Sequence, residues 1–414
     1  MSCGTETRQL QNILIGDIWI CSGQSNMEWP MRKEMHWRKE KDDALQPLIR
    51  LNNPPPAGRY VYGVAYTDSL NKRLTVNDFY QWHQWLNCDS SSLKDMSAVA
   101  YYFAKSIVEN ENVPVGLINL SIGGAPIETF ISRSAMQQDQ QFFKKVEGNW
   151  LENVHLPEWI RGRGKENVGK NTGAYGDGFG LNHAYKPGFA FESGIRPLLP
   201  LPVKGVIWYQ GESNSLEKER VEEYRDLLHL LINDYRKQWR QTDMPFYWVQ
   251  LSSIDTPGYK SGYWPEFRNE QRLLIDEVQN GGMAVCSDIG LKNNVHPTDK
   301  KTVGERLARW ALSGTYKREI VPSGPLPLKA RFQNGQVIVQ FRYAAGLRTA
   351  DGAPLRGFSI DGKTDITASI RNDIVTIDVA QKPEFVFYGW KPFTDANLSN
   401  AAILPASTFK IAVE

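Results

Sequence analysis

The sequence predicts an α/β domain with a parallel sheet between helix layers, followed by a small β-sandwich. Two observations carry this. Over the first 320 residues, short apolar runs alternate with longer stretches of helical spacing, the mark of strand–helix–strand units. After Ile320 the segments become short, alternating and bounded by turns, the pattern of a sandwich of roughly ninety residues.

The elements follow in order. Asn12 to Cys21 (NILIGDIWIC) is almost continuously apolar, as a strand buried on both faces should be. Ser97 caps a helical stretch in which Val99, Tyr102, Phe103 and Ile107 share one face. Val113 to Ile122 is the next strand and runs into Gly123-Gly124, and Val203 to Tyr209 is a third. Leu216 to Arg240 carries Tyr224, Leu227, Leu228, Leu231 and Tyr235 at helical spacing. Phe246 to Leu251 and Met283 to Ser287 are further strands, and Thr298 to Leu312 is helical again. Val321 to Pro327 (VPSGPLP) reads as a stiff linker. Beyond it Gln336 to Phe341, Ile370 to Val379 and Glu384 to Tyr388 supply sandwich strands. The division is therefore residues 1–320 and 328–414. An irregular insertion at about 147–191, rich in Gly, Asn and aromatics, is either substrate-facing or disordered.

Composition narrows the function classes. A net charge of +2 is too small an excess to predict a nucleic-acid partner. No run of 18 or more apolar residues occurs, so no membrane span is expected. Met1 to Gln11 is polar, without the apolar core of a leader. Cys3, Cys21, Cys88 and Cys286 are widely spread and are expected as reduced, mostly buried thiols.

Four predicted strand ends carry unusual polar residues: Gly23 to Asn26, Ser121 to Gly124, Gln210 to Glu212, and Asp288 to His296. In an open parallel sheet, reactive groups gather at that edge. Ser25 is the candidate nucleophile, in a tight turn opened by Gly23. The alternative is a serine that only caps the next turn. Met27 replaces the last glycine of G-x-S-x-G, so the α/β-hydrolase elbow does not apply. Of six histidines, only His296 follows directly on a strand of this domain, which makes it the candidate base; a structural role is the alternative. The backbone N–H groups of Ser25 and Gly124 and the amide of Gln210 are candidate oxyanion donors. Glu212 could orient a neighbour or cap the following helix.

These motifs carry a resemblance. GDIWICSGQSNMEWPM (Gly16 to Met31), NLSIGGAPIETFIS (Asn119 to Ser132), KGVIWYQGESN (Lys204 to Asn214), HPTDKKTVGERLARWAL (His296 to Leu312) and the tail Tyr388 to Lys410 are similar to bacterial sialate O-acetylesterases of the SGNH/GDSL superfamily. The resemblance implies a flavodoxin-like three-layer domain and ester cleavage through an acyl-enzyme, without metal or other cofactor. It places the nucleophile on Ser25, the base on His296, and oxyanion donors on Gly124 and Gln210. It also implies a secreted or periplasmic protein acting on an acetylated carbohydrate; the oligomeric state stays open.

Three departures stand out. Where many relatives carry an Asp three residues before the histidine, this chain has Asn293. The ring would then be oriented by a backbone carbonyl or by Asp288. The block usually reading WGGT is Ile122-Gly123-Gly124-Ala125. Many relatives carry an N-terminal β-domain and a leader, which are not expected here, so the chain reads as a shorter form or a fragment. The leading expectation is thus a carbohydrate O-acetylesterase, with sialate the first substrate and acetylxylan the second. The rival of another class is a carbohydrate-binding protein on a degenerate esterase scaffold. Trp150, Trp159 and Tyr175 are candidates to stack on sugar rings.

Overall fold

The computed structural model describes residues 2–3, 6–7, 11–170, 175–255 and 261–414. Its central sheet has seven strands: β1 (Asp17–Gly23), β2 (Gln46–Asn52), β3 (Leu86–Cys88), β4 (Val115–Asn119), β5 (Gly205–Tyr209), β6 (Phe246–Gln250) and β7 (Gly281–Val285). Their order across the sheet is β7-β6-β5-β1-β4-β2-β3. All neighbours are parallel except the edge pair β2 and β3. The expected parallel sheet is therefore present, widened by β2 and β3, which the sequence pattern did not resolve. Counted among themselves, β1, β4, β5, β6 and β7 follow the flavodoxin order 2-1-3-4-5.

The first strand starts later than its apolar run. Asp17 pairs with Val115 and its N–H donates to the Pro114 carbonyl at 2.9 Å. Pro114 has no N–H to return, so the ladder stops there and Ile13 and Ile15 are left exposed.

The principal helices are α1 (Ser25–Glu28), α2 (Ala98–Glu111), α3 (Glu158–Val168), α4 (Lys218–Trp239), α5 (Trp264–Leu273) and α6 (Lys300–Gly314). Ser97 Oγ accepts from Ala100 N–H at 3.2 Å, the predicted cap of α2. Asp299 Oδ1 does the same for α6, from Thr302 N–H at 3.0 Å. From β1 the chain moves to β4 on one side and later to β5 on the other, and right-handed crossovers in opposite directions place helices on opposite faces. Accordingly α2 packs with α6, and α4 with α5. Trp19 of β1 meets Phe103 of α2 edge-on at 4.9 Å, while Trp208 of β5 donates from Nε1 to Tyr224 Oη of α4 at 3.3 Å. Both tryptophans are fully buried, each worth roughly 2–3 kcal/mol of apolar transfer before entropy is counted.

The insertion is more ordered than its composition suggests. It contains α3, although two glycines and three Lys or Arg residues within Glu158–Val168 blur the apolar spacing. Trp150 is core, not a sugar platform: it is fully buried and its Nε1 donates to the Leu181 carbonyl at 2.7 Å. Trp159 packs edge-on against Tyr185, and Tyr175 is exposed.

The C-terminal region is built of antiparallel strands around its own cluster, with Val339, Phe358, Val375, Val386 and Phe409 at the centre. The segment expected as a linker is packed rather than free, since residues 322–327 are buried and a strand begins at Leu326. This region docks at the carboxyl end of β6. Gln250 and Thr408 exchange amide and backbone hydrogen bonds, and buried Arg268 donates to the Gly389 carbonyl at 3.0 Å. Cys21, Cys88 and Cys286 are buried free thiols. Among the described residues no helix is long and apolar enough to cross a membrane.

Candidate active site

The topological switch point lies at the carboxyl ends of β1 and β5, where Gly23 pairs with Tyr209. A Cβ on Gly23 (φ 136°) would stand 2.1 Å from the Tyr209 carbonyl oxygen, so only glycine lets the two strand ends close up here. Gln24 N–H donates to that carbonyl at 2.9 Å, and Gln24 Oε1 accepts from Gly211 and Ser213 N–H groups. The turn so formed makes Ser25 the first residue of α1. Its N–H therefore has no acceptor within the helix.

His296 arrives from the loop between β7 and α6. The Ser25 hydroxyl donates to His296 Nε2 at 2.8 Å. Trp29 stacks on the imidazole, with centroids 5.3 Å apart, and Asn294 Oδ1 accepts the His296 backbone N–H at 2.9 Å. Burial, then the Lys300 and Lys33 cations, hold the ring's pKa down at about 4. At neutral pH the imidazole is uncharged and can accept a proton.

The residues expected to orient that ring do otherwise. Asp288 is not on His296: Arg306 takes its carboxylate with both guanidinium arms, at 2.6 and 2.7 Å, the fork geometry Arg favours. Asn293 is exposed, and the amide that reaches His296 is that of Asn294. Glu212 is buried and accepts from Asn26 Nδ2, and burial pushes its carboxyl up to about 7. Among the described residues no carboxylate contacts the imidazole.

Gly124 has φ 70°, and a Cβ there would lie 2.4 Å from Tyr185 Oη. Its carbonyl accepts from Ser213 Oγ at 2.9 Å, while the Gly123 carbonyl accepts from Tyr185 Oη at 3.0 Å. Ile122 N–H donates to Gly23 O at 3.0 Å, which ties this loop to that of Ser25. Gln210 departs from expectation. It is fully buried, and its Nε2 donates to Asn214 Oδ1 at 2.7 Å and to the Ala125 carbonyl at 3.3 Å. The neighbouring amide with an unbonded, buried nitrogen is Asn214 Nδ2.

One helical turn from Ser25, Glu28 and Gly123 border a narrow cavity of about 20 Å³ walled by Arg59, Arg163, Tyr62 and Tyr66. It has room for one small group. Arg59 Nε is bound to Glu28 at 2.6 Å. Arg163 lies over the Tyr62 ring, 3.4 Å from Glu166, and its buried Nη1 makes no hydrogen bond. Glu34, His36 and Asp299 could together reach a metal ion. Of their two carboxylates, Glu34 is already shared by His36 and Tyr102, and Asp299 caps α6 on Thr302. Sequence reasoning gave no role to Arg59, Arg163, Trp29 and Lys300, and named Asn26 only as part of the polar strand end that carries Ser25. A lysine at a helix start, or an arginine in a loop or on a polar helix, ordinarily reads as solvated surface, so no signal marked Arg59, Arg163 or Lys300.

Fold and site together define a doubly wound α/β domain with a Ser–His pair at its switch point. Residues 193–313 match the family described as carbohydrate esterase, sialic acid-specific acetylesterase. The chain is similar to mouse sialate O-acetylesterase, 27% identical over 361 residues covering 81% of this chain and 63% of the relative. It is likewise similar to the human sialate O-acetylesterase, 28% identical over 78% of this chain and 58% of the relative. It thus spans about three fifths of the length of these relatives. Among solved structures, a carbohydrate acetylesterase from Xanthomonas citri superposes with a TM-score of 0.74 and 28% identity, covering 95% of this chain and 80% of that one. The resemblance read from the motifs to sialate O-acetylesterases therefore holds.

Proposed function

We propose that this chain is a carbohydrate O-acetylesterase that hydrolyses acetyl esters of sialic acid through a Ser25 acyl-enzyme. The observation that carries the reading is the 2.8 Å approach of His296 Nε2 to Ser25 Oγ at the sheet's switch point. Ser25 Oγ attacks the acetyl carbonyl as His296 takes its proton. The backbone N–H groups of Ser25 and Gly124 receive the oxyanion. His296 then protonates the departing sugar oxygen, and a water, deprotonated by the same ring, releases acetate and restores Ser25.

Sialate is favoured over acetylxylan by the Arg163 guanidinium beside the cavity near Ser25, whose buried Nη1 makes no hydrogen bond while Arg59 is held by Glu28, because a sialic acid carries a carboxylate and xylan's backbone sugars do not. An uncharged imidazole already bonded to a serine hydroxyl argues for catalysis over the binding-protein reading. The same reading puts the protein in a secreted or periplasmic setting, where acetylated glycans are met. The test is acetate release from O-acetylated sialic acid and, in parallel, from acetylated xylan, with Ser25→Ala as control. Release from neither by folded protein would overturn the proposal, and release from xylan alone would move the substrate.

A further inference from the structure

We infer that a buried Glu212–Asn26–Lys300 bridge positions His296 against Ser25, locking the loop of the base onto the helix of the nucleophile. The inference rests on the esterase reading above and concerns residues to which that mechanism gives no task.

The three side chains come from α1, the turn after β5 and the start of α6, and each is 1% exposed or less. Asn26 follows the nucleophile directly. Its Nδ2 donates to Glu212 Oε1 beyond β5 and to the Val295 carbonyl at 3.0 Å, and Val295 is bonded directly to His296. Its Oδ1 accepts from Lys300 Nζ, at the start of α6 just beyond the base. One amide thus holds both flanks of His296, the carbonyl before it and the helix after it. Lys300 Nζ also lies over the rings of Trp29 and Tyr209, at 5.7 and 5.4 Å, and Trp29 is the ring stacked on the imidazole.

Such a cluster is a poor device for stability alone. Withdrawing an acid and a lysine from water costs several kcal/mol per ion, and apolar replacements of similar volume often serve as well. Burial pushes Glu212 up and Lys300 down, each to about 7, the sign of that cost. What the bridge supplies is geometry at the one place where this site has no carboxylate on its histidine. The charged groups that act on the imidazole are Lys300 and Lys33, both cationic. Lys300 therefore also helps to keep the ring neutral and ready to accept the Ser25 proton.

The test combines turnover with an NMR titration of the His296 imidazole, assigned with His296→Asn. Asn26→Ala should lower kcat about a hundredfold while KM changes less than about threefold, as for a misplaced catalytic group. Glu212→Gln, which keeps an oxygen for Asn26 Nδ2, should recover most of what Glu212→Ala loses. Lys300→Met should raise the pH at which His296 titrates. If Asn26→Ala does not fold, the Glu212 pair and Lys300→Met decide. Near wild-type kcat in folded Asn26→Ala, or an unmoved His296 titration in Lys300→Met, overturns the inference. Those results with an active wild type and a dead Ser25→Ala would sink the bridge alone. A wild type without acetate release would sink the esterase reading, and the titration would still judge the bridge.

Discussion

His296 Nε2 lies 2.8 Å from the Ser25 hydroxyl, yet no carboxylate among the described residues touches the other side of that imidazole. In a Ser–His–Asp triad the acid stabilises the imidazolium that forms. Here burial, Lys300 and Lys33 all disfavour it, and the ring titrates at about 4 against an ordinary 6.5. The active form is the neutral base, so kcat/KM should stay flat from neutral pH down to about 5 and fall through a pKa near 4. Stability has the same sign. The unfolded chain binds the proton first, so the contribution of this group is complete above 6.5 and is lost as pH falls toward 4. A kcat/KM profile already falling below pH 6.5 would show that the imidazole keeps its ordinary basicity.

Ser25→Ala should abolish turnover and little else. The side chain caps no helix and makes its hydrogen bond to His296. Loss of a triad-type nucleophile costs on the order of 10⁴- to 10⁶-fold in kcat. The check is acetate release beside a thermal melt. An unchanged melting temperature with activity within tenfold of wild type would remove Ser25 from the mechanism.

Much of this fold was legible because its strands and helices obey simple periods. Val113 to Ile122 and Phe246 to Leu251 are mostly apolar stretches rich in β-branched and aromatic residues, and they became β4 and β6 within a few residues. β2 escaped because Gln46–Asn52 carries Gln, Pro and Arg beside its apolar residues and is only partly buried. At the site, Ser25, Gly124 and His296 could be placed because the strand ends that carry them must converge. Asp288 and Gln210 could not be judged the same way. Which neighbour takes a side chain depends on its rotamer and on what packs beside it: Arg306 for Asp288 and Asn214 for Gln210. The burial of Lys300, which begins α6, is a property of tertiary packing that no local pattern records.

The Gln210–Asn214 pair yields a coupling prediction. Gln210 Nε2 is spent on Asn214 Oδ1, while Ile127 N–H donates to the same oxygen at 3.2 Å. Gln210→Ala should thus act by releasing Asn214 and the loop after Gly124, not by removing a donor from the oxyanion. Each single alanine variant should lower kcat/KM by about tenfold to a hundredfold, the range of a disturbed oxyanion site. The double variant should lose scarcely more than either single, as residues of one network do. Fully additive losses in a double-mutant cycle would mean that the two amides act separately.

Substrate choice should turn on Arg163. Its Nη1 is buried without a hydrogen bond, and Glu166, an i,i+3 neighbour 3.4 Å away, is half exposed. A sialic acid carboxylate reaching the cavity beside Gly123 would meet this guanidinium more directly than Glu166 does. A charge-assisted hydrogen bond contributes about 1.5–3 kcal/mol, which corresponds to roughly a tenfold to hundredfold change in KM. Arg163→Ala should raise KM for O-acetylated sialic acid by that factor and leave KM for a neutral acetyl ester unchanged. Arg163→Lys should fall between, since a point charge replaces a fork. The contrast between the two substrates is the decisive measurement. An equal rise for both would make Arg163 a support of the cavity wall, and no rise for either would remove the carboxylate argument for sialate.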